Sequence, residues 1–255
     1  MASYESFAEV YDMYMDNVDY EQWCQNLIQV LNQYQIDDGL VAELGCGTGK
    51  MTRALRNHGF DMIGIDNSYD MLGIAMSEDM QDILYLCQDM REFELYGTVR
   101  AVVSVCDSMN YIVGIEDLTQ VISLANNYLD PKGIFIFDMN TIYKYEHILA
   151  DNTFAENRDE GSFIWENEYD KNSQINEYDL TLYIADEEND DASDTFYQRY
   201  EEQHIQRAYT IEEIKQAVAA GGMVMLDILD VDTMDKPTDT TERIYVIAQE
   251  RGKEI

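Results

Sequence analysis

Val41-Ala42-Glu43-Leu44-Gly45-Cys46-Gly47-Thr48-Gly49-Lys50 decides the fold of this chain. The apolar run Leu40 to Leu44 reads as a short buried strand, and the glycines end it in a tight turn. Met51, Ala54 and Leu55 then recur at helical spacing, and Gly59 stops that helix. A strand that enters a helix through glycines brings free backbone N–H groups to a point where a ligand can approach closely.

The same alternation extends in both directions. Upstream, Trp23, Leu27, Val30, Leu31 and Tyr34 mark a helix. Downstream, Asp61 to Asp66 is a second strand, Met71, Leu72 and Ala75 a third helix, Ile83 to Leu86 a third strand and Ala101 to Val105 a fourth. Leu118, Val121, Ile122, Ala125 and Leu129 form the next helix. Asp130-Pro131-Lys132-Gly133 reads as a turn before a fifth strand, Ile134 to Phe137. Strands separated by helices of this length predict βαβ units and a doubly wound, mainly parallel sheet.

From about Phe154 the texture changes. Ser162 to Tyr169, Ile175 to Ile184 and Thr195 to Ile205 are tyrosine-rich and alternating, which predicts an antiparallel meander. The acidic run 186–191 inside it reads as an exposed loop, since its spacing does not match a calcium-binding EF-hand. Thr210 and Glu213 have capping-box spacing at the start of another helix. Strands at Val224 to Leu229 and Arg243 to Ala248 follow, so the meander is an insertion, about residues 150–205, in one α/β domain made of 1–149 and 206–255.

The chain has 255 residues, 46% of them hydrophobic, with 51 acidic and 16 basic side chains and a formal net charge of −35. A core of ordinary size is therefore available, and most of the acid must sit outside it. Such a charge repels phosphates and argues against a nucleic-acid partner. Cys24, Cys46, Cys87 and Cys106 form no C-x-x-C pair, a pattern suited to free thiols in a reducing cytoplasm. No apolar run is long enough to span a bilayer, and three scattered histidines predict no metal centre.

The third glycine falls at Gly49, whereas a dinucleotide fingerprint would need Gly or Ala where Lys50 stands. The segment instead resembles the first motif, acidic-x-G-x-G-x-G, of the class I S-adenosylmethionine-dependent methyltransferases. That resemblance implies a seven-stranded Rossmann-like sheet with an antiparallel last strand, carrying a small antiparallel β insertion. It also implies S-adenosylmethionine as cofactor. By this likeness Glu43, Gly45, Cys46 and Gly47 belong to the cofactor site. Asp66, with Asn67 beside it, matches the position that accepts from the ribose hydroxyls, a task suited to a carboxylate. Asp89 and Met90 match the adenine position, and Cys106 the contact near the methionine moiety. Tyr4, Phe7, Ala8, Tyr11 and Asp12 resemble an amino-terminal segment that folds over the cofactor, although their spacing equally suits an ordinary amphipathic helix.

Catalytic residues are less legible. Methyl transfer from a sulfonium is an in-line displacement, so alignment and exclusion of water carry most of it, and a base is needed only where the acceptor must lose a proton. His147 and His204 border the insertion, and Arg207 and Tyr209 follow His204; His204, Arg207 and Tyr209 are the candidate catalytic set. Asp107, Asn110 and Tyr111, after the fourth strand, are candidates for the acceptor pocket. No Asn-Pro-Pro-Tyr motif is present, which weakens a nucleobase or amide acceptor. The expected function is methyl transfer to a small or medium polar acceptor, with a silent S-adenosylmethionine-binding sensor or partner subunit as the alternative.

Overall fold

The computed structural model describes residues 8–15, 18–78, 83–185 and 196–253. The first helices are α1 (Ala8–Tyr14) and α2 (Tyr20–Gln33), and then strands and helices alternate: β1 (Leu40–Leu44), α3 (Lys50–Asn57), β2 (Asp61–Asp66), α4 (Tyr69–Glu78), β3 (Leu84–Cys87), β4 (Val99–Ser104), α5 (Ile115–Tyr128) and β5 (Leu129–Asn140). Four antiparallel strands follow, β6 (Thr153–Asn157), β7 (Gly161–Asp170), β8 (Ile175–Ala185) and β9 (Tyr197–Arg207). The chain closes with α6 (Ile211–Ala220), β10 (Val224–Asp230) and β11 (Arg243–Gln249).

The main sheet has the order β10-β11-β5-β4-β1-β2-β3. Its members from β5 to β3 pair in parallel, and β11 runs antiparallel between β5 and β10. Alternate strand residues feed two cores. Ala42, Leu44, Val102, Phe135, Phe137 and Val246 pack against Leu118, Val121 and Ile122 of α5 and Ile214 and Val218 of α6. Val41, Ala101, Val103, Ile136 and Ile247 pack against Leu27 and Leu31 of α2 and Met51 and Leu55 of α3. Each fully buried aliphatic side chain contributes about 1.5–3 kcal/mol, and two covered faces are what make the strands apolar throughout.

Two local expectations change. Asp130-Pro131-Lys132-Gly133 is not a separate turn but the entry of β5. Lys132 takes a left-handed φ of 64°, and the pairing with β4 shifts register between Val99 and Ala101. A bulge accommodates the proline there, because the missing N–H is not needed in the ladder. The insertion also carries a further strand, β6, and β9 continues to Arg207.

The second sheet, order β6-β7-β8-β9, has one wet face and one covered face. On the covered side Phe163, Leu180, Leu182 and Tyr200 pack against Met13 and Tyr14 of α1. The π-helical turn Lys144–Leu149, which leaves β5, places Tyr145 and Leu149 beside Trp165 and Tyr169. The capping box expected at Thr210 and Glu213 is present at the start of α6. Among the described residues no helix is long and apolar enough to cross a membrane.

Candidate functional site

At the carboxyl edge of the sheet, the turns after β4, β1, β2 and β3 lie in that spatial order and open on one cavity of about 320 Å³. Strand order reverses between β1 and β4, the place where an open α/β sheet leaves a crevice for a ligand. The cavity volume lies at the lower end of the range for small-molecule sites.

The turn after β1 depends on its glycines. Gly45, Gly47 and Gly49 have φ of 71°, 53° and 77°. A Cβ on Gly45 would sit 2.5 Å from Ser108 Oγ, whereas one on Gly47 would meet no protein atom within 4 Å. Gly47 therefore borders open space in the cavity, a cradle that a side chain would fill. Its N–H donates to Asp66 Oδ2 at 2.8 Å, and the Ser68 N–H donates to Asp66 Oδ1 at 2.8 Å. Burial raises the Asp66 carboxyl from its usual range, and these backbone donors oppose the rise.

Glu43 is buried under α3, where the Thr52 hydroxyl donates to its carboxylate. Loss of solvation pushes its pKa up to about 8, so it is mostly protonated at neutral pH. Asp89 behaves oppositely: hydrogen bonds from the Arg91 guanidinium, at 3.0 Å and 3.1 Å from Nε, hold it below the ordinary carboxylate range. Burial pushes the Cys46 and Cys106 thiols up, so neither serves as a thiolate nucleophile near neutral pH.

After β4, Cys106 and Asp107 both take left-handed conformations, φ 59° and 52°. Two successive non-glycine residues in that region store strain that the surroundings must offset. The offset is the fully buried Asp138 at the end of β5, which accepts from Cys106 N–H (3.1 Å) and Asp107 N–H (2.8 Å). Arg243 at the start of β11 pairs with Asp138 (2.8 Å) and with Asp107 (2.7 Å), its guanidinium 5.1 Å from the centre of the Trp23 ring. Gln206 of β9 donates to Asp107 at 2.7 Å and accepts from Tyr145, so the second sheet is tied into the same clamp.

All ten residues expected at the cofactor site line the cavity: Tyr11, Glu43, Gly45, Cys46, Gly47, Asp66, Asn67, Asp89, Met90 and Cys106. Tyr11 arrives on α1, and the neighbouring Asp12 accepts from Thr48 Oγ1 at 2.8 Å and lies 3.3 Å from Lys50 Nζ. That latch holds α1 against the glycine turn. Tyr4 and Phe7 lie outside the described residues. Tyr20, Lys50, Ser108 and Tyr111 also line the cavity; of the acceptor-pocket candidates Asp107, Asn110 and Tyr111, only Tyr111 is among its lining residues.

The three catalytic candidates divide. His204 is buried on β9, with Nδ1 3.2 Å from Tyr111 Oη. None of the three lines the cavity, and His204 meets it only through Tyr111. Arg207 donates to the Val113 carbonyl (3.1 Å) and to Glu213 (2.7 Å), and the Tyr209 hydroxyl donates to the Ile112 carbonyl. Asn110 donates to the Arg207 carbonyl at 2.8 Å. Together they fix the segment that presents Tyr111. His147 is half exposed beside Glu146 and Tyr143, away from the cavity.

Glycine turn, carboxylates at two strand ends and strand order converge on one cavity at the carboxyl edge of the sheet. A family model described as a methyltransferase domain matches residues 41–133. A protein of Geobacillus sp. (strain WCH70) named as a methyltransferase is 31% identical over 251 residues, which cover 97% of this chain and 99% of that one. The crystal structure of an S-adenosylmethionine-dependent methyltransferase from Clostridium acetobutylicum ATCC 824 is 28% identical, with a TM-score of 0.85 over 98% of this chain and 100% of that one. The S-adenosylmethionine-bound aminopentose methyltransferase CalS10 of Micromonospora echinaspora shares the fold, at a TM-score of 0.74 and 14% identity over 95% and 97% of the two chains. The chain belongs to the class I S-adenosylmethionine-dependent methyltransferases. Its cofactor is S-adenosylmethionine.

Proposed function

We propose that the chain transfers a methyl group to a small or medium polar acceptor, in the cytoplasm, where its four free cysteines stay reduced. When bound, S-adenosylmethionine supplies an electrophilic methyl on a sulfonium that leaves as a neutral thioether. Asp66 and Asn67 hold its ribose, Asp89 and Met90 its adenine. Gly45, Cys46, Gly47 and Cys106 hold the methionine part, and Glu43 braces the turn from beneath. Tyr11 closes over it. The single observation that carries this reading is the convergence of four successive strand ends on one cavity, with a carboxylate at two of them.

The acceptor enters on the β4 side, beneath the second sheet, which roofs that part of the site. His204 acts there through Tyr111, while Arg207 and Tyr209 position the segment carrying that tyrosine. Alignment and exclusion of water are the chain's main contributions.

Calorimetry with S-adenosylmethionine and its demethylated product, followed by incubation of labelled cofactor with a metabolite pool, tests the reading. Binding of both compounds and label in a small polar product is the expected result. Tight product binding without any labelled acceptor would favour a sensor, and failure to bind either compound would defeat the assignment.

A further inference from the structure

We propose that Glu202, His204 and Tyr111 form a proton relay that carries a proton from the methyl acceptor into the second sheet, so that the acceptor is a hydroxyl or an amine that must be deprotonated. This rests on the methyl-transfer reading above and specifies its acceptor class. The relay begins in the cavity, which Tyr111 lines. Tyr111 Oη lies 3.2 Å from His204 Nδ1 and 2.5 Å from Tyr178 Oη. On the far side of the imidazole, His204 Nε2 lies 3.2 Å from Glu202 Oε2. The histidine side chain is fully buried, and the glutamate side chain is 6% exposed.

The placement of Glu202 is the telling feature. Residues two apart on a strand share a face, so Glu202 and His204 both point to the covered side of the sheet. Glu202 pairs directly with Leu180, which is buried, and His204 with Tyr178. An acid among such neighbours is costly unless a cation or a hydrogen-bond donor faces it, and a role in packing alone would be served better by an apolar side chain. Tyr178 stacks on the imidazole, with ring centroids 4.6 Å apart and planes 13° from parallel, while Tyr111 meets it edge-on. The ring is therefore held in one orientation, as a group that passes a proton through a defined nitrogen must be. Among the described residues, Glu202 of its own strand, Tyr178 of β8 and Tyr111 of the turn after β4 are titratable groups that face it.

The relay requires Nδ1 to accept from the Tyr111 hydroxyl, which puts the ring hydrogen on Nε2, 3.2 Å from Glu202 Oε2 at ion-pair distance and not in an aligned hydrogen bond. As the acceptor's lone pair bonds to the methyl carbon, the electron pair of the breaking sulfur–carbon bond stays on sulfur. The acceptor's own proton passes to Tyr111 Oη while the tyrosine proton moves to His204 Nδ1. The imidazolium then faces the Glu202 carboxylate, which stabilises it until the proton returns to solvent after the product leaves.

Long-range ¹H–¹⁵N spectra of histidine-labelled protein at neutral pH test this, with His204 assigned by the signal missing in His204→Gln. A neutral ring protonated on Nε2, whose Nδ1 shift moves in Tyr111→Phe, is expected. A ring protonated on Nδ1, a permanent imidazolium, or a shift unmoved by Tyr111→Phe would overturn the relay. On an acceptor found by label transfer, Glu202→Gln should lower kcat at least tenfold with less than a twofold change in S-adenosylmethionine affinity, and an unchanged kcat would also overturn it. If the wild-type protein binds no S-adenosylmethionine, the methyl-transfer reading fails and takes the relay with it. A wrong tautomer in a protein that does bind it removes the relay alone.

Discussion

Asp66 faces the cavity with its carboxylate aimed by two backbone donors, Gly47 N–H and Ser68 N–H, so little reorganisation is needed when a diol arrives. Replacing it by alanine removes a charged acceptor from a site that a ligand closes to water. Binding of S-adenosylmethionine should weaken by about 2–3 kcal/mol, and an unchanged calorimetric Kd would take Asp66 out of the site. Glu43 makes a different kind of prediction. Its pKa, raised by burial from 4.5 to about 8 in the folded protein, means that folding favours the protonated form. The stability it contributes is complete below the unfolded value and is lost as pH rises through 8, where a buried carboxylate must form. Glu43→Gln keeps a neutral side chain of similar shape, so its stability relative to the wild type should improve with pH, by ~1–3 kcal/mol at pH 9. Urea unfolding at several pH values measures this, and a wild-type advantage that persists above pH 8 would contradict a protonated Glu43.

The glycine turn and the clamp behind it act as elements. Gly47→Ala places its Cβ in open cavity, so the fold should lose only the left-handed penalty of about 1–2 kcal/mol, while cofactor affinity falls much further. A protein that melts normally and binds S-adenosylmethionine normally would show that the turn is not the cradle. In the clamp, Asp138→Asn leaves the buried Arg243 charge half compensated and turns an NH2 donor toward one of the two strained backbone N–H groups, which should cost about 3–5 kcal/mol in chemical unfolding. A loss below 1 kcal/mol would mean that Cys106 and Asp107 hold their conformation without it. These two elements differ in how far the sequence exposes them. The turn and Asp66 are legible because strand, glycine and acid follow one another within a few residues, and their spacing carries the meaning. The clamp joins Asp107 to residues 31 and 136 positions away, and no local spacing records such a pairing. Tyr111 could be suspected from its place after β4, whereas Glu202 and Tyr178 become partners of His204 only once β8 and β9 pair. β6 is not legible for a related reason: Thr153 to Asn157 alternates acceptably but includes Glu and Asn, and becomes a strand by pairing with β7. At the start of β5 the bulge uses the same Pro-Lys-Gly chemistry as a turn, so local sequence cannot separate the two.

Across the whole molecule the net charge of −35 is unevenly resolved. On the wet face of the second sheet, Glu166 stands directly opposite Asp179 and Glu168 opposite Glu177, all exposed. Like charges in register across strands oppose pairing by about 0.2–1 kcal/mol for each pair. These exposed charges interact through solvent, so their repulsion is open to screening. Raising sodium chloride from about 0.02 M to about 0.5 M shortens the screening length from ~20 Å to ~4 Å. Relief of the two pairs, together with the diffuse self-repulsion of the acidic surface, should raise Tm by about 3–6 °C for a chain of this size. Sodium is the appropriate cation because it screens without strong coordination by carboxylates, which keeps the effect separate from specific binding. Glu168→Gln/Glu177→Gln should start with a higher Tm at low salt and gain less from added salt than the wild type. Were the double variant to gain as much, the destabilising repulsion would lie elsewhere on the surface. A wild-type Tm that falls with salt would mean that exposed ion pairs such as Arg56–Asp61 and Arg100–Asp38 outweigh the acidic excess. Screening weakens exposed attractions as readily as repulsions, but with 51 acidic against 16 basic side chains repulsions outnumber attractions, so the rise is the expected sign.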